Sequence, residues 1–261
     1  RNIAEHYDLG DDFFKLFLDE TMMYSCAVFP RENSSLLEAS QHKISRICEK
    51  LDLSPEHHLL EIGTGWGGLA IHAAKTHGCR VTTTTISKEQ HRLATDRVRE
   101  AGLADRVTVL QEDYRDLTGR YDRLVSVEMI EAVGHHYYDT YFGKCCDLLK
   151  PDGLMLLQAI TISDQAFERH KDSVDFIKRF IFPGSCIPSN TRISRSLAEA
   201  TDLRLVHLED IGPHYARTLR HWREAFMASR ASAASMGLDA TFVRMWEFYL
   251  AYCEGGFAER Y

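Results

Sequence analysis

A short apolar run, LLEI (59–62), passes directly into GTGWGG (63–68) and then into LAIHAAKTH. A strand, a glycine turn and a helix in immediate succession constrain the fold more than any other stretch. Glycine turns the chain tightly and leaves its backbone open to a ligand. From about Ser40 to Ile162, helical periodicity alternates with short apolar runs, the pattern of parallel βαβ units. HHLLEIG (57–63) is the first strand, CRVTTTTIS the second and KEQHRLATDRVREAG the helix after it, while RVTVLQED and DRLVSVEMIE add two more strands. A helix over YYDTYFGKCCDLLK is expected to stop at Pro151-Asp152-Gly153, where proline blocks continuation and glycine suits a turn, before LMLLQAITI forms a fifth strand. The fold class is α/β, a Rossmann-like sheet with helices on both faces.

Other segments dress this sheet. NIAEHYDLGDDFFKLFLD is expected to be helical and MMYSCAVFP a loop, so that residues 1–40 form an N-terminal cover. Residues 164–200, with the apolar FIKRFIFPGSCIP, form a lid after the fifth strand, and LRLVHLEDIG resumes strand-like patterning. Two helices over RHWREAFMASRASAASM and TFVRMWEFYLAYCEGGFAERY end near Gly255-Gly256. At 261 residues a single domain, 1–261, is expected. The start at Arg1, without Met, suggests a trimmed product.

The apolar share of 44% and charged share of 26% suit a soluble globular chain. With 31 Lys+Arg against 38 Asp+Glu the net charge is −7, which speaks against a general nucleic-acid surface. The 7 cysteines are scattered, without paired C-x-x-C spacing, so no metal site and a reduced, cytoplasmic setting are expected. No apolar run approaches the roughly 18 residues of a membrane span.

Gly63, Gly65 and Gly68 match G-x-G-x-x-G. The same geometry serves NAD, FAD or S-adenosylmethionine. Glu61, before the first glycine, opposes a pyrophosphate and suits the cationic amino-acid end of S-adenosylmethionine. Trp66 is expected to be exposed. A dinucleotide enzyme places an acid about twenty residues further on, yet this chain has TISKEQ (85–90). Hydroxyls of Thr83, Thr84, Thr85 and Ser87 and the amide of Gln90 can bond a ribose without a carboxylate. The plainer alternative is that the threonines express strand propensity.

Six stretches together carry a family resemblance: NIAEHYDLGDDFFKLFLDETMMYSCAVFP, LLEIGTGWGGLA, TISKEQ, VSVEMIEAVG, FIFPGSCIPS and HYARTLRHWREAF. The chain resembles the cyclopropane-fatty-acid synthases, including the mycolic acid cyclopropane synthases, within the class I S-adenosylmethionine-dependent methyltransferases. The resemblance implies that Tyr24 and Ser25 meet the cofactor and that Gly63, Thr64, Gly65, Trp66 and Gly67 line it. Thr85, Ile86, Ser87 and Gln90 then approach the ribose and methionine side, and Asp113, Tyr114 and Arg115 flank the adenine. Thr64 stands where the family commonly has cysteine, and the Thr-x-Ser-x-x-Gln pattern is the family's own strand ending.

The chemistry implied is attack of an alkene on the S-methyl group, followed by loss of a proton to a bicarbonate base. The family's bicarbonate ligands map onto Cys26, Glu131, Ile160 through its backbone, and Tyr215. Gln158 stands where the best-known members have histidine, and an amide cannot titrate. Glu128 reads as a structural acid, and His135 and His136 receive no role. Phe176, Ile177, Phe180, Ile181 and Phe182 form an apolar face that either receives an acyl chain or packs the insertion onto the core, with Lys178 and Arg179 set to meet lipid phosphate. The implied partner is an unsaturated phospholipid acyl chain at the inner membrane surface, with a homodimer left open. Alternatives are a relative making 10-methylene or 10-methyl lipids, a small-amine N-methyltransferase, and an inactive cofactor- or lipid-binding domain.

Overall fold

Five strands frame the segment Ser45–Leu208. They are β1 (His58–Ile62), β2 (Arg80–Thr84), β3 (Val107–Leu110), β4 (Tyr121–Val127) and β5 (Leu149–Gln158). All pair in parallel, in the order β3-β2-β1-β4-β5, with Glu61 beside both Thr83 and Val125. Helices Gly68–His77, Lys88–Glu100 and Tyr138–Leu148 flank the sheet. This is the Rossmann-like α/β sheet that the sequence predicts, and each of the five expected strands is present.

The structure is a computed structural model that describes residues 9–260. These divide into two compact units, Ser45–Leu208 and a second built from 9–44 and 209–260.

Parallel strands covered on both faces need continuous apolar runs, and β1 is buried from Leu59 to Ile62. Its side chains Leu60 and Ile62 join Leu124 of β4 and Tyr138, Tyr141, Phe142 and Leu148 of the following helix in one core cluster. Full burial of each such aliphatic or phenylalanine side chain contributes roughly 1.5–3 kcal/mol. The order reverses between β1 and β4, so their carboxyl ends open a crevice at the switch point.

Pro151-Asp152-Gly153 is not the helix stop that the sequence predicts. The helix already ends at Leu148, and the tripeptide lies inside β5 as an irregularity: Tyr121 pairs with Leu149, then Arg123 with Leu154. A Cβ on Gly153 would sit 2.8 Å from both Leu149 Cδ2 and Lys150 O, so the bulge closes only around glycine. Proline is tolerated because β5 pairs on one side only among the described residues.

The lid segment folds as a helix, Asp164–Asp172, a π-helical turn, Ile177–Ile181, and a helix, Asn190–Ala200. LRLVHLEDIG forms no strand: residues 201–211 carry no regular structure, and Leu205, Val206 and Leu208 are exposed.

In the second unit, helix Gly212–Ala228 packs along Ala240–Ala258. The latter runs through Gly255 and Gly256 rather than ending there. Their shared core is aromatic, with Phe13 edge-on to Trp246 at 4.8 Å and Phe17 edge-on to Phe226 at 6.2 Å. Of the expected N-terminal helix, only Asp11–Phe14 is helical among the described residues, and 2–8 lie outside them. MMYSCAVFP is a loop, as predicted.

Candidate active site

The first unit gathers its candidate residues at the carboxyl ends of β1, β2, β4 and β5. Where β1 ends, Gly63 and Thr64 each donate their N–H to Thr84 O, at 3.1 and 3.0 Å, and the turn closes onto helix Gly68–His77. Gly65 adopts φ +51°, and a Cβ built there would meet nothing within 4 Å. The main chain at that point faces open space, the cradle that a ligand approaching the backbone requires. Met129, just past β4, lies 3.4 Å from where a Gly63 Cβ would be, so the glycine turn and the β4 exit are neighbours.

Glu61 is only 4% exposed. Its Oε2 accepts from Thr83 Oγ1 at 2.6 Å, and Thr83 Oγ1 lies 2.7 Å from Thr64 Oγ1. Thr83 therefore orients Glu61 and does not offer its hydroxyl to a ribose. Thr84 is likewise occupied, donating to Glu112 O at 2.6 Å. Trp66, expected to be exposed, is 2% exposed; its ring is buried and its carbonyl accepts from Arg97 Nη1 at 2.8 Å.

TISKEQ forms a closed local circuit. Thr85 Oγ1 donates to Gln90 Oε1 at 2.8 Å, Ser87 N–H donates to Thr85 Oγ1 at 3.1 Å, and Gln90 N–H donates to Ser87 Oγ at 3.3 Å. Ser87 is thus the N-cap of helix Lys88–Glu100, and three polar side chains hold the turn that a carboxylate marks elsewhere. Ile86 between them is 42% exposed. Beyond β3, Arg115 donates to Asp113 through its main-chain N–H, Nε and Nη2, and the guanidinium hydrogen bond holds the Asp113 carboxyl below its usual range. Tyr114 stands edge-on to Tyr141 at 5.4 Å.

Glu131 lies on a short 3-10 turn, Ile130–Ala132, after β4. Its Oε1 accepts from the N–H of Ile160 at 2.5 Å, and its carbonyl accepts from Cys186 N–H at 2.8 Å. Ile160, expected to meet a bound anion through its backbone, gives its N–H to Glu131. Although the residue as a whole is half-buried, its Oε2 is buried and meets no hydrogen-bond partner among the described residues. Burial first, then the negative charge of Glu128, pushes the Glu131 carboxyl up to about 8, against two main-chain N–H groups that pull it down. Gln158 Nε2 donates to Glu128 Oε1 at 2.8 Å. Glu128 is the partner that sequence reasoning missed, since nothing in its spacing sets it apart.

Tyr24, Ser25, Cys26 and Tyr215 belong to the second unit. The Tyr24 hydroxyl lies 3.0 Å from that of Tyr249, and Ser25 Oγ accepts from the buried Lys43 at 2.6 Å. Cys26 Sγ contacts the carbonyls of Ala27 and Ile211 at 3.3 and 3.7 Å. Tyr215, four residues past Ile211, stacks on Phe257 at 4.4 Å. Cys26 and Tyr215 thus share one neighbourhood, as Glu131, Gln158 and Ile160 share another.

In the lid, Phe180 is 54% exposed, with Arg179 over its ring at 5.5 Å, whereas Ile181 is buried. Lys178 does not face a lipid phosphate. It is buried, with Nζ donating to Ser173 O at 2.9 Å and to His170 O.

The family described as mycolic acid cyclopropane synthetase matches residues 1–261. The chain is 46% identical over 268 residues to the tuberculostearic acid methyltransferase UfaA1 of Mycobacterium tuberculosis, covering 100% of this chain and 62% of that one. It is 41% identical over 259 residues to the cyclopropane-fatty-acyl-phospholipid synthase of Escherichia coli, covering 98% of this chain and 64% of that one. It therefore spans less than two thirds of either relative. A crystal structure of the mycolic acid cyclopropane synthase CmaA1 complexed with SAH and CTAB superposes with a TM-score of 0.91 at 33% identity, covering 98% of this chain and 93% of that one.

Proposed function

The chain belongs to the mycolic acid cyclopropane synthetase family, and from that premise we propose that it transfers the methyl group of S-adenosylmethionine to the double bond of an unsaturated acyl chain in a phospholipid and, with loss of a proton, closes a cyclopropane ring. The observation that carries this reading is the buried, unpartnered Oε2 of Glu131, at the strand ends where the glycine turn opens. An alkene has no acidic proton to lose before it attacks, so the site needs a proton acceptor afterwards. A carboxyl held by Ile160 and raised toward neutrality suits an anion that serves as that acceptor, with the proton shared between two acids. Bicarbonate is the anion we assign to it.

Bound S-adenosylmethionine supplies an electrophilic methyl group. The residues of the chain hold and orient. Gly65 gives the ligand access to the main chain, and Glu61, fixed by Thr83, faces the cofactor's cationic end. Roles for Cys26 and Tyr215 rest on the family pattern alone. Exposed Val174 and Phe180 beside Arg179 support contact with a membrane surface, and among the described residues no helix is long and apolar enough to cross one.

A second reading, a methylene branch in place of a ring, is favoured by Gln158: its amide is tied to Glu128 and cannot take up a proton. The 46% identical relative is named for tuberculostearic acid. One experiment tests both readings. The protein is incubated with methyl-labelled S-adenosylmethionine and phospholipids of known unsaturation, and the products are resolved by mass spectrometry and NMR. Label in a ring supports the first reading and label in a branch the second; label on amines only, or in no acyl chain, overturns both. Bicarbonate depletion slows the reaction, and an indifferent rate removes bicarbonate from it.

A further inference from the structure

Glu128 sits immediately after β4 with φ +48°, a left-handed conformation that a glutamate keeps only where its surroundings impose it. Those surroundings are on β5. The N–H of Glu128 donates to Gln158 O at 2.8 Å, and Gln158 Nε2 returns a bond of 2.8 Å to Glu128 Oε1. A strained backbone and a two-point clamp between strand ends fix this carboxylate one turn before Glu131.

Around Glu131 the first unit presents few groups that titrate. Gln158 and Ile160 at the β5 exit do not. Cys186, from the lid, meets Glu131 through its main-chain N–H. Tyr138 and Tyr141, from the next helix, lie close enough to sense a charge at Glu131, and burial holds both phenols well above their ordinary range, so they stay neutral. Burial is the first cause that keeps the Glu131 carboxyl protonated, and among the described residues of this unit the carboxylate of Glu128 is the charge that adds to it.

We propose that Glu128 is a positioning residue that, clamped by Gln158, keeps Glu131 in its neutral form, so that Oε2–H is offered as a hydrogen-bond donor to an oxyanion in the crevice. This rests on the reading of Glu131 as the anion's partner. Without Glu128, Glu131 would more readily ionise and repel the anion it is meant to hold.

The test is a carboxyl-carbon NMR titration of the full chain labelled at glutamate, with the Glu131 resonance identified by its loss in Glu131→Gln. Glu128→Gln removes the charge and keeps the shape. Glu128→Gly removes the side chain at a φ that glycine adopts freely, so folding is retained. Both are expected to lower the Glu131 midpoint by about one unit, while Glu128→Asp, which keeps the charge, restores most of it. The alkaline limb of the pH–rate profile for methyl transfer moves down with the midpoint. A midpoint unmoved in both Glu128→Gln and Glu128→Gly overturns the inference, even if acyl chains are methylated. A midpoint that moves while no acyl chain is methylated at any pH supports the inference and overturns the functional reading instead.

Discussion

The N–H of Ile160 donates to Oε1 of Glu131 at 2.5 Å and so joins the exit of β5 to the turn that follows β4. One carboxyl oxygen is thereby committed to architecture, and the other is buried with no hydrogen-bond partner among the described residues.

Glu131→Gln keeps an oxygen for Ile160 and discards the acid. Turnover is expected to fall by about 10²- to 10⁴-fold, the range for a lost acid–base group. S-adenosylmethionine affinity, measured by calorimetry, stays near that of the wild type. Undiminished methyl transfer would remove Glu131 from the mechanism.

The same carboxyl sets a pH dependence of folding. Its ordinary value is 4.5 and its folded value about 8, so between those pH values the native state holds a proton that the unfolded chain has lost. The stability contributed by the neutral carboxyl is fully present below about 4.5 and is lost as pH rises toward about 8. Glu131→Gln lacks this loss, so its urea midpoint gains on the wild type from pH 5 to 8 and the gap then levels off. A gap constant with pH would contradict the shift.

Thr83→Val removes a 2.6 Å donor from a buried carboxylate. Stability should drop by about 1–3 kcal/mol, read by urea unfolding, and cofactor affinity should weaken because Glu61 loses the anchor that Thr83 supplies. Equal affinity in the variant would mean that Glu61 does not face the cofactor.

Gly153→Ala places a Cβ 2.8 Å from a main-chain carbonyl inside the β5 bulge. A cost of about 1–3 kcal/mol is expected. Because β5 carries Gln158, turnover should fall with it. A variant as stable as the wild type would show that the bulge can shift.

Lys178→Ala should lower the melting temperature and leave vesicle binding unchanged, since its ammonium group caps the carbonyls of His170 and Ser173. Phe180→Asp should do the reverse. Weaker vesicle binding in the lysine variant at full stability would return it to the surface role that its sequence context suggested.

The sheet was legible because buried parallel strands leave an apolar run that few other elements imitate, and because the glycine turn names the strand before it and the helix after it. Glu61, Glu131 and Gln158 stood out as polar residues closing such runs. Other features were hidden for physical reasons. Trp66 sits in a turn between two glycines, yet its ring folds inward. Pro151-Asp152-Gly153 has the composition of a turn, and only a pairing partner reveals it as a bulge. LRLVHLEDIG alternates like a strand, but alternation records which side chains prefer cover, not whether a neighbouring strand supplies hydrogen bonds. Lys178 interrupts an apolar run and reads as outward-facing, because the carbonyls that receive it come from residues up to eight positions away. Glu128 needed coordinates: neither its φ nor its clamp leaves a trace in spacing.

The circuit of Thr85, Ser87 and Gln90 is closed by the protein's own side chains and main chain. A molecule docking at that edge meets a turn already tied by three hydrogen bonds, so little of its binding energy is diverted into ordering the protein. On the reading proposed above, recognition of a nucleoside at that edge becomes a matter of fit.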